Sequence, residues 1–168
     1  MNIRIGMLIV VGALAGSAAQ ADEHTYAELG VIPMRFSAGG GSLTPDVVVA
    51  RVGFEVNRNF AVELTAATTA RGDSAGGPEF KVDSAFGAYL KGMTEVARGL
   101  ELFAKVGYIR MQVSASGLGS GGDNSLSYAA GAQYHFNKTL YAQIDYASYF
   151  DKDGLTATGP SISVGMRF

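Results

Sequence analysis

The chain has 168 residues, with 13 basic and 15 acidic side chains, no cysteine, 23 glycines and 48% hydrophobic residues. The slight negative balance argues against a nucleic-acid partner, which needs a basic face. The missing cysteines exclude a disulfide framework and thiolate metal sites, and the length suits one domain.

The N-terminus reads as an export leader. Met1–Arg4 carries one positive charge, Ile5–Ala15 is apolar, and Ala19-Gln20-Ala21 is a small-x-small cleavage site before the polar Asp22-Glu23-His24. That order predicts a signal peptide over residues 1–21 and leaves residues 22–168 as the folded domain. The apolar stretch falls short of the ~20 residues a spanning helix needs, and no longer run follows it.

Eight strands are expected: His24–Ser37, Asp46–Val56, Phe60–Ala70, Phe80–Lys91, Leu100–Ser114, Leu126–Phe136, Thr139–Tyr149 and Ala157–Phe168. They exceed the mean globular strand of about 5–6 residues and reach the ~9–11 residues of a tilted membrane strand. Asn57-Arg58-Asn59 and Asn137-Lys138 read as tight turns, with Met93–Gly99 a longer connection on the same side. Residues 38–42, 71–78, 117–124 and 151–154 read as longer, Gly-rich loops on the other side. Short turns at one rim and longer loops at the other match an outer-membrane barrel with both termini in the periplasm.

Each strand has two faces. Val48, Ala50, Val52 and Phe54 oppose Val49, Arg51, Gly53 and Glu55; Val62 and Leu64 oppose Glu63 and Thr65; Leu102, Ala104 and Val106 oppose Glu101, Phe103 and Lys105. A mid-strand Arg or Lys facing lipid would cost ~2–4 kcal/mol, so the polar face must line the lumen. The expected lumen network is Glu28, Arg51, Glu55, Glu63, Lys81, Asp83, Glu101, Lys105, Asp145 and Arg167, charges that burial obliges to pair. Arg110 breaks the rule, near a rim. In the first strand Glu28 and Arg35 have opposite parity, and Pro33 between them suggests a bulge. Aromatics on the apolar face gather toward the two rims: Phe54, Phe60, Tyr134, Phe136 and Phe168 near the short turns, Phe80, Tyr108 and Tyr128 near the loops.

The last strand alternates to the final residue, with Ile162, Val164, Met166 and Phe168 on one face. It resembles the C-terminal signature that the barrel-assembly machinery reads in bacterial outer-membrane proteins. Val52-Gly-Phe-Glu-Val-Asn57, Lys105-Val-Gly-Tyr108, Ala130–Asn137, Leu140–Tyr146 and Val164–Phe168 extend the likeness over residues 22–168. The chain resembles the eight-stranded barrels of the OmpA-like transmembrane-domain family. The resemblance implies an all-β, eight-stranded antiparallel up-and-down transmembrane β-barrel in the outer membrane of a Gram-negative cell. A structural or surface-interaction role follows, without a general pore, since eight strands leave a lumen just wide enough for side chains. The expected partners are outer-membrane lipid and lipopolysaccharide, the assembly machinery, and surface ligands at the long loops; no cofactor, metal or catalytic residue is expected. Full-length members add a peptidoglycan-binding domain; with the last strand running to Phe168, peptidoglycan tethering is not implied here.

Three other readings stay open. A lipid A-modifying enzyme would use His135, which has no matching serine nearby in sequence. A narrow channel would let the lumen pairs exchange partners. A soluble lipocalin-like barrel would turn the apolar face inward. Arg71-Gly72-Asp73 is a tripeptide that arises easily by chance in such loops, and Asp151-Lys-Asp-Gly154 lacks the downstream glutamate of a calcium loop.

Overall fold

The computed structural model describes residues 24–73, 80–115, 119–152 and 154–168. The expected leader and the loop tips at 74–79, 116–118 and 153 lie outside the described residues.

Ten strands form one antiparallel sheet: β1 (Thr25–Pro33), β2 (Arg35–Ala38), β3 (Gly41–Leu43), β4 (Asp46–Asn57), β5 (Phe60–Arg71), β6 (Phe80–Ala97), β7 (Leu100–Ala115), β8 (Gly119–His135), β9 (Leu140–Lys152) and β10 (Leu155–Arg167). Neighbours in sequence pair with each other from β4 to β10, and β1 pairs with both β4 and β10, which closes the barrel. β1 and β2 lie end to end along β10, and β3 is a short flap hydrogen-bonded to β2, so the closed wall has eight staves.

The break between β1 and β2 is not a bulge. Tyr26↔Arg167, Val31↔Ile162, Arg35↔Thr158 and Ser37↔Thr156 keep one register throughout. Continuing that register sets Pro33 opposite Pro160. Neither proline has an N–H to give, so the ladder lapses there without slipping. Met34 N bonds to Pro45 O instead, at 3.0 Å. Glu28 faces in and Arg35 faces out because they are an odd number of residues apart on one stave.

Strand lengths differ from expectation on three staves. β6 runs through Ala97, so the anticipated connection at Met93–Gly99 shrinks to a tight turn with Gly99 at φ 77°. β8 begins at Gly119, and its Gly-rich start is strand because it pairs with β7 from Ala115↔Gly119 onward. β9 continues to Lys152. Sequences poor in strand formers are held extended here by a long partner strand.

The outward face is the apolar one. Leu64, Ile162, Val164, Leu90, Ile144 and Tyr108 are exposed, which rules out the inverted, lipocalin-like arrangement. Outward aromatics lie toward both rims, with Phe54, Phe60, Tyr134 and Phe136 near the turns and Tyr108, Tyr128, Phe86 and Tyr146 nearer the loops; the Phe80 side chain lies outside the described residues. Above the loop-side aromatics the wall inverts. Ile32, Met34, Phe36, Val47, Val49, Val82, Ile109, Met111, Tyr149 and Phe150 point inward and form a dry core. Arg35, Gln112, Asn124, Ser148 and Thr158 point outward there. A wall leaving the membrane meets water and adopts the ordinary apolar-in pattern.

Candidate functional site: a charged layer across the lumen

Between the dry core and the turn-side mouth, aromatic rings and glycines build the frame of the lumen. Four lumen aromatics each face a glycine in register on the next strand: Tyr26↔Gly53, Tyr89↔Gly107, Phe103↔Gly131 and Tyr141↔Gly165. A Cβ at Gly53 would stand 2.1 Å from Tyr26 Cζ, and one at Gly165 2.2 Å from Tyr141 Cζ. The rings lie flat over backbone that has no side chain to displace them. This geometry aims their hydroxyls at the centre. Tyr26 Oη donates to Glu63 Oε2 (3.1 Å), Tyr141 Oη to Glu28 Oε1 (2.8 Å) and Tyr89 Oη to Ser127 Oγ (3.0 Å).

The centre holds three carboxylates, Glu28, Glu63 and Asp145, and three cations, Arg51, Lys91 and Lys105, all buried. Arg51 is the hub, with Nη1 3.3 Å from Glu28 Oε2, Nε 3.7 Å from Glu63 Oε1 and Nη2 3.7 Å from Asp145 Oδ2. Its guanidinium also donates to Ser163 Oγ (2.9 Å) and Ser161 Oγ (3.0 Å). Lys105 Nζ lies 2.9 Å from Glu63 Oε1. Lys91 Nζ is 3.6 Å from Glu28 Oε1 and donates to Gln133 Oε1 and Gln143 Oε1 at 2.9 and 2.8 Å. It sits 4.4 Å from the centroid of the Phe103 ring and 5.2 Å from that of Tyr26. Gln143 returns its amide to Glu28 and Asp145. Charges taken out of water this far need that density of partners.

A second group closes the turn-side mouth. Arg167 Nη2 lies 2.9 Å from Glu55 Oε1 and 3.4 Å from Glu101 Oε2. Glu101 Oε2 also meets Gln133 Nε2 and, at 3.2 Å, His135 Nε2. These side chains keep partial access to water.

The structure therefore gathers Glu28, Arg51, Glu63, Lys105 and Asp145 in one layer and Glu55, Glu101 and Arg167 at the mouth. Lys81 and Asp83 join neither. Both are exposed, because an extra residue between Val82 and Ser84 shifts the register against β7 and turns Val82 inward in their place. Asp83 Oδ1 instead accepts from Ser114 Oγ at 2.9 Å. Lys91 was missing from the expected network, although its parity with Tyr89 was the available signal. The neutral members Gln133, Gln143, Ser161 and Ser163 share lumen parity and carry no charge to draw notice.

His135 lies at the mouth, bonded to Glu101 and Gln133. At the loop side, Asp73 Oδ2 accepts the Thr44 N–H at 2.7 Å, so the Arg-Gly-Asp carboxylate is tied to the segment between β3 and β4. Among the described residues no group of three metal-ligating side chains converges.

A family profile described as the outer membrane protein beta-barrel domain matches residues 6–168. No curated protein matches the chain by sequence. Among solved structures, Ail of Yersinia pestis, in a complex with the heparin analogue sucrose octasulfate, superposes with TM-score 0.67 at 18% identity over 88% of this chain and 100% of that one. Neisserial surface protein A gives 0.66 at 18% identity over 86% and 97%. The N-terminal barrel domain of Pseudomonas aeruginosa OprF gives 0.61 at 11% identity over 85% and 97%. At these identities the likeness is one of fold.

Proposed function

Because the chain belongs to the outer-membrane protein β-barrel domain family and resides in the outer membrane, we propose that it is a structural envelope component with a sealed lumen and a loop-side rim available to surface ligands. The reading rests on the central layer of three acids and three bases. It has no net charge, its ions are already matched, and the dry core from Met34 to Phe150 lies above it. A passing ion would have to separate these pairs and then cross an apolar zone, each step opposed by desolvation.

The loop-side rim carries Asp46, Asp73, Asp83, Asp123 and Asp151 beside Arg35, Arg71, Lys81, Arg110 and Lys152. That mixed surface suits neutral or zwitterionic ligands better than the polyanion bound to Ail. The outward Ile162, Val164 and Met166 lie on the strand that closes the wall, the one we propose the assembly machinery reads.

Planar-bilayer recording of the refolded protein tests the seal. The expected result is no stepwise conductance, and steady single-channel steps that vanish in a Lys105→Met variant would replace the reading with a narrow channel. An enzyme acting through His135 would instead change the lipid A mass spectrum when the gene is removed.

A further inference from the structure

Arg110 is a charged side chain on the outward face of β7 beside apolar wall, and nothing in the sealed-lumen reading needs it. In register it stands between Phe86 on β6 and Asn124 on β8, one step above the row Ala88–Tyr108–Leu126. Phe86, Ala88 and Tyr108 line an open apolar cleft on the barrel wall, with Arg110 and Asn124 at its loop-side end. Among the described residues no carboxylate comes within 4.0 Å of the Arg110 guanidinium. Asp123 is near enough to feel its charge, but the Asp123 carboxylate is engaged by Lys152.

The side chain lies level with Phe86 and one step to the loop side of Tyr108, where the outer leaflet meets water. A lipid-facing cation is costly at the midplane and tolerated at this depth. A cation there, over an apolar cleft and beside a carboxamide, matches an anionic amphiphile: chain in the cleft, phosphate on the guanidinium, sugar hydroxyl or amide on Asn124. Arginine suits phosphate because its planar fork donates two parallel hydrogen bonds.

We propose that Arg110, Asn124 and the Phe86–Ala88–Tyr108 cleft form a binding site for one phosphorylated, acylated glycolipid of the outer leaflet, of the lipid A class. The site rests on the membrane-barrel reading and gives its lipid partner an address.

The test is native mass spectrometry of the detergent-refolded protein offered equal amounts of bisphosphorylated lipid A, dephosphorylated lipid A and phosphatidylglycerol. The wild-type protein should retain bisphosphorylated lipid A over both others. Arg110→Gln should weaken retention about tenfold, the loss of one charge-assisted contact. Arg110→Lys should restore part of it, and Arg58→Gln, in the exposed turn at the opposite rim, should change nothing. Equal retention by Arg110→Gln overturns the site, as does equal retention of dephosphorylated lipid A. Equal retention of phosphatidylglycerol overturns the glycolipid assignment. Each sample is also run in SDS before and after boiling. A preparation without a heat shift overturns the barrel reading itself, whereas a shifted one that ignores lipid A overturns this site alone.

Discussion

Arg51 is the residue on which the lumen turns, since three carboxylates and two hydroxyls converge on one guanidinium. Arg51→Met keeps much of the volume and strands the acids. Removing one partner of a buried ion cluster costs ~3–5 kcal/mol, so the variant should unfold in urea at markedly lower concentration in lipid vesicles. Neutralising Lys105 and Glu63 together should cost less than the sum of the single changes, because each single change leaves the other ion without its 2.9 Å partner. A double-mutant cycle measures the difference. At Gly53 the conflict is steric. Gly53→Val should cost ~1–3 kcal/mol by overpacking, and Tyr26→Ala in the same chain should recover part of the loss, which a second cycle reads.

At the scale of the strand, parity alone placed most lumen residues, since a strand's side chains alternate without exception until a residue is inserted. It failed at Lys81 and Asp83 for that reason. One added residue on β6 swaps the two faces beyond it, and nothing in Lys-Val-Asp-Ser marks a bulge. Composition misled at Gly119–Asn124, where pairing with β7 overrides a loop-like sequence. Deleting Asp83 should restore regular alternation and leave Val82 facing in, because its neighbour would then be the outward Ser84. The chain has no cysteine, so a Val82→Cys probe reports this cleanly. It should resist a membrane-impermeant thiol reagent both in the parent and once Asp83 is deleted. A probe that becomes reactive on the deletion would show that Asp83 is not the inserted residue.

The whole molecule was legible as a two-faced closed wall because lipid imposes one strict rule on every stave it touches. The rule lapses where the wall rises past the membrane, and there the dry core of Met34, Phe36, Met111 and Phe150 could not be read from alternation. Apolar residues on that stretch fit either side until the water level is known. The closed wall should make the protein resist SDS at room temperature, with a mobility shift on boiling, because β1 and β10 leave no free edge for detergent to open. Substituting Leu29 and Val31 with proline on the β1 seam should abolish that resistance while barely altering the mobility of the boiled form.

The four ring-on-glycine pairs carry a consequence for how neighbouring staves find one another. A slip of one residue would bring each ring against a side chain in place of bare backbone, so the pairs act as keys that admit one alignment. Tyr26–Gly53 and Tyr141–Gly165 sit on the outer edges of the two strands that meet at the seam. Those strands thus reach the closing step already locked to their other neighbours. Over generations such a lock can change only in matched steps: the ring has to shrink before its glycine can gain a side chain.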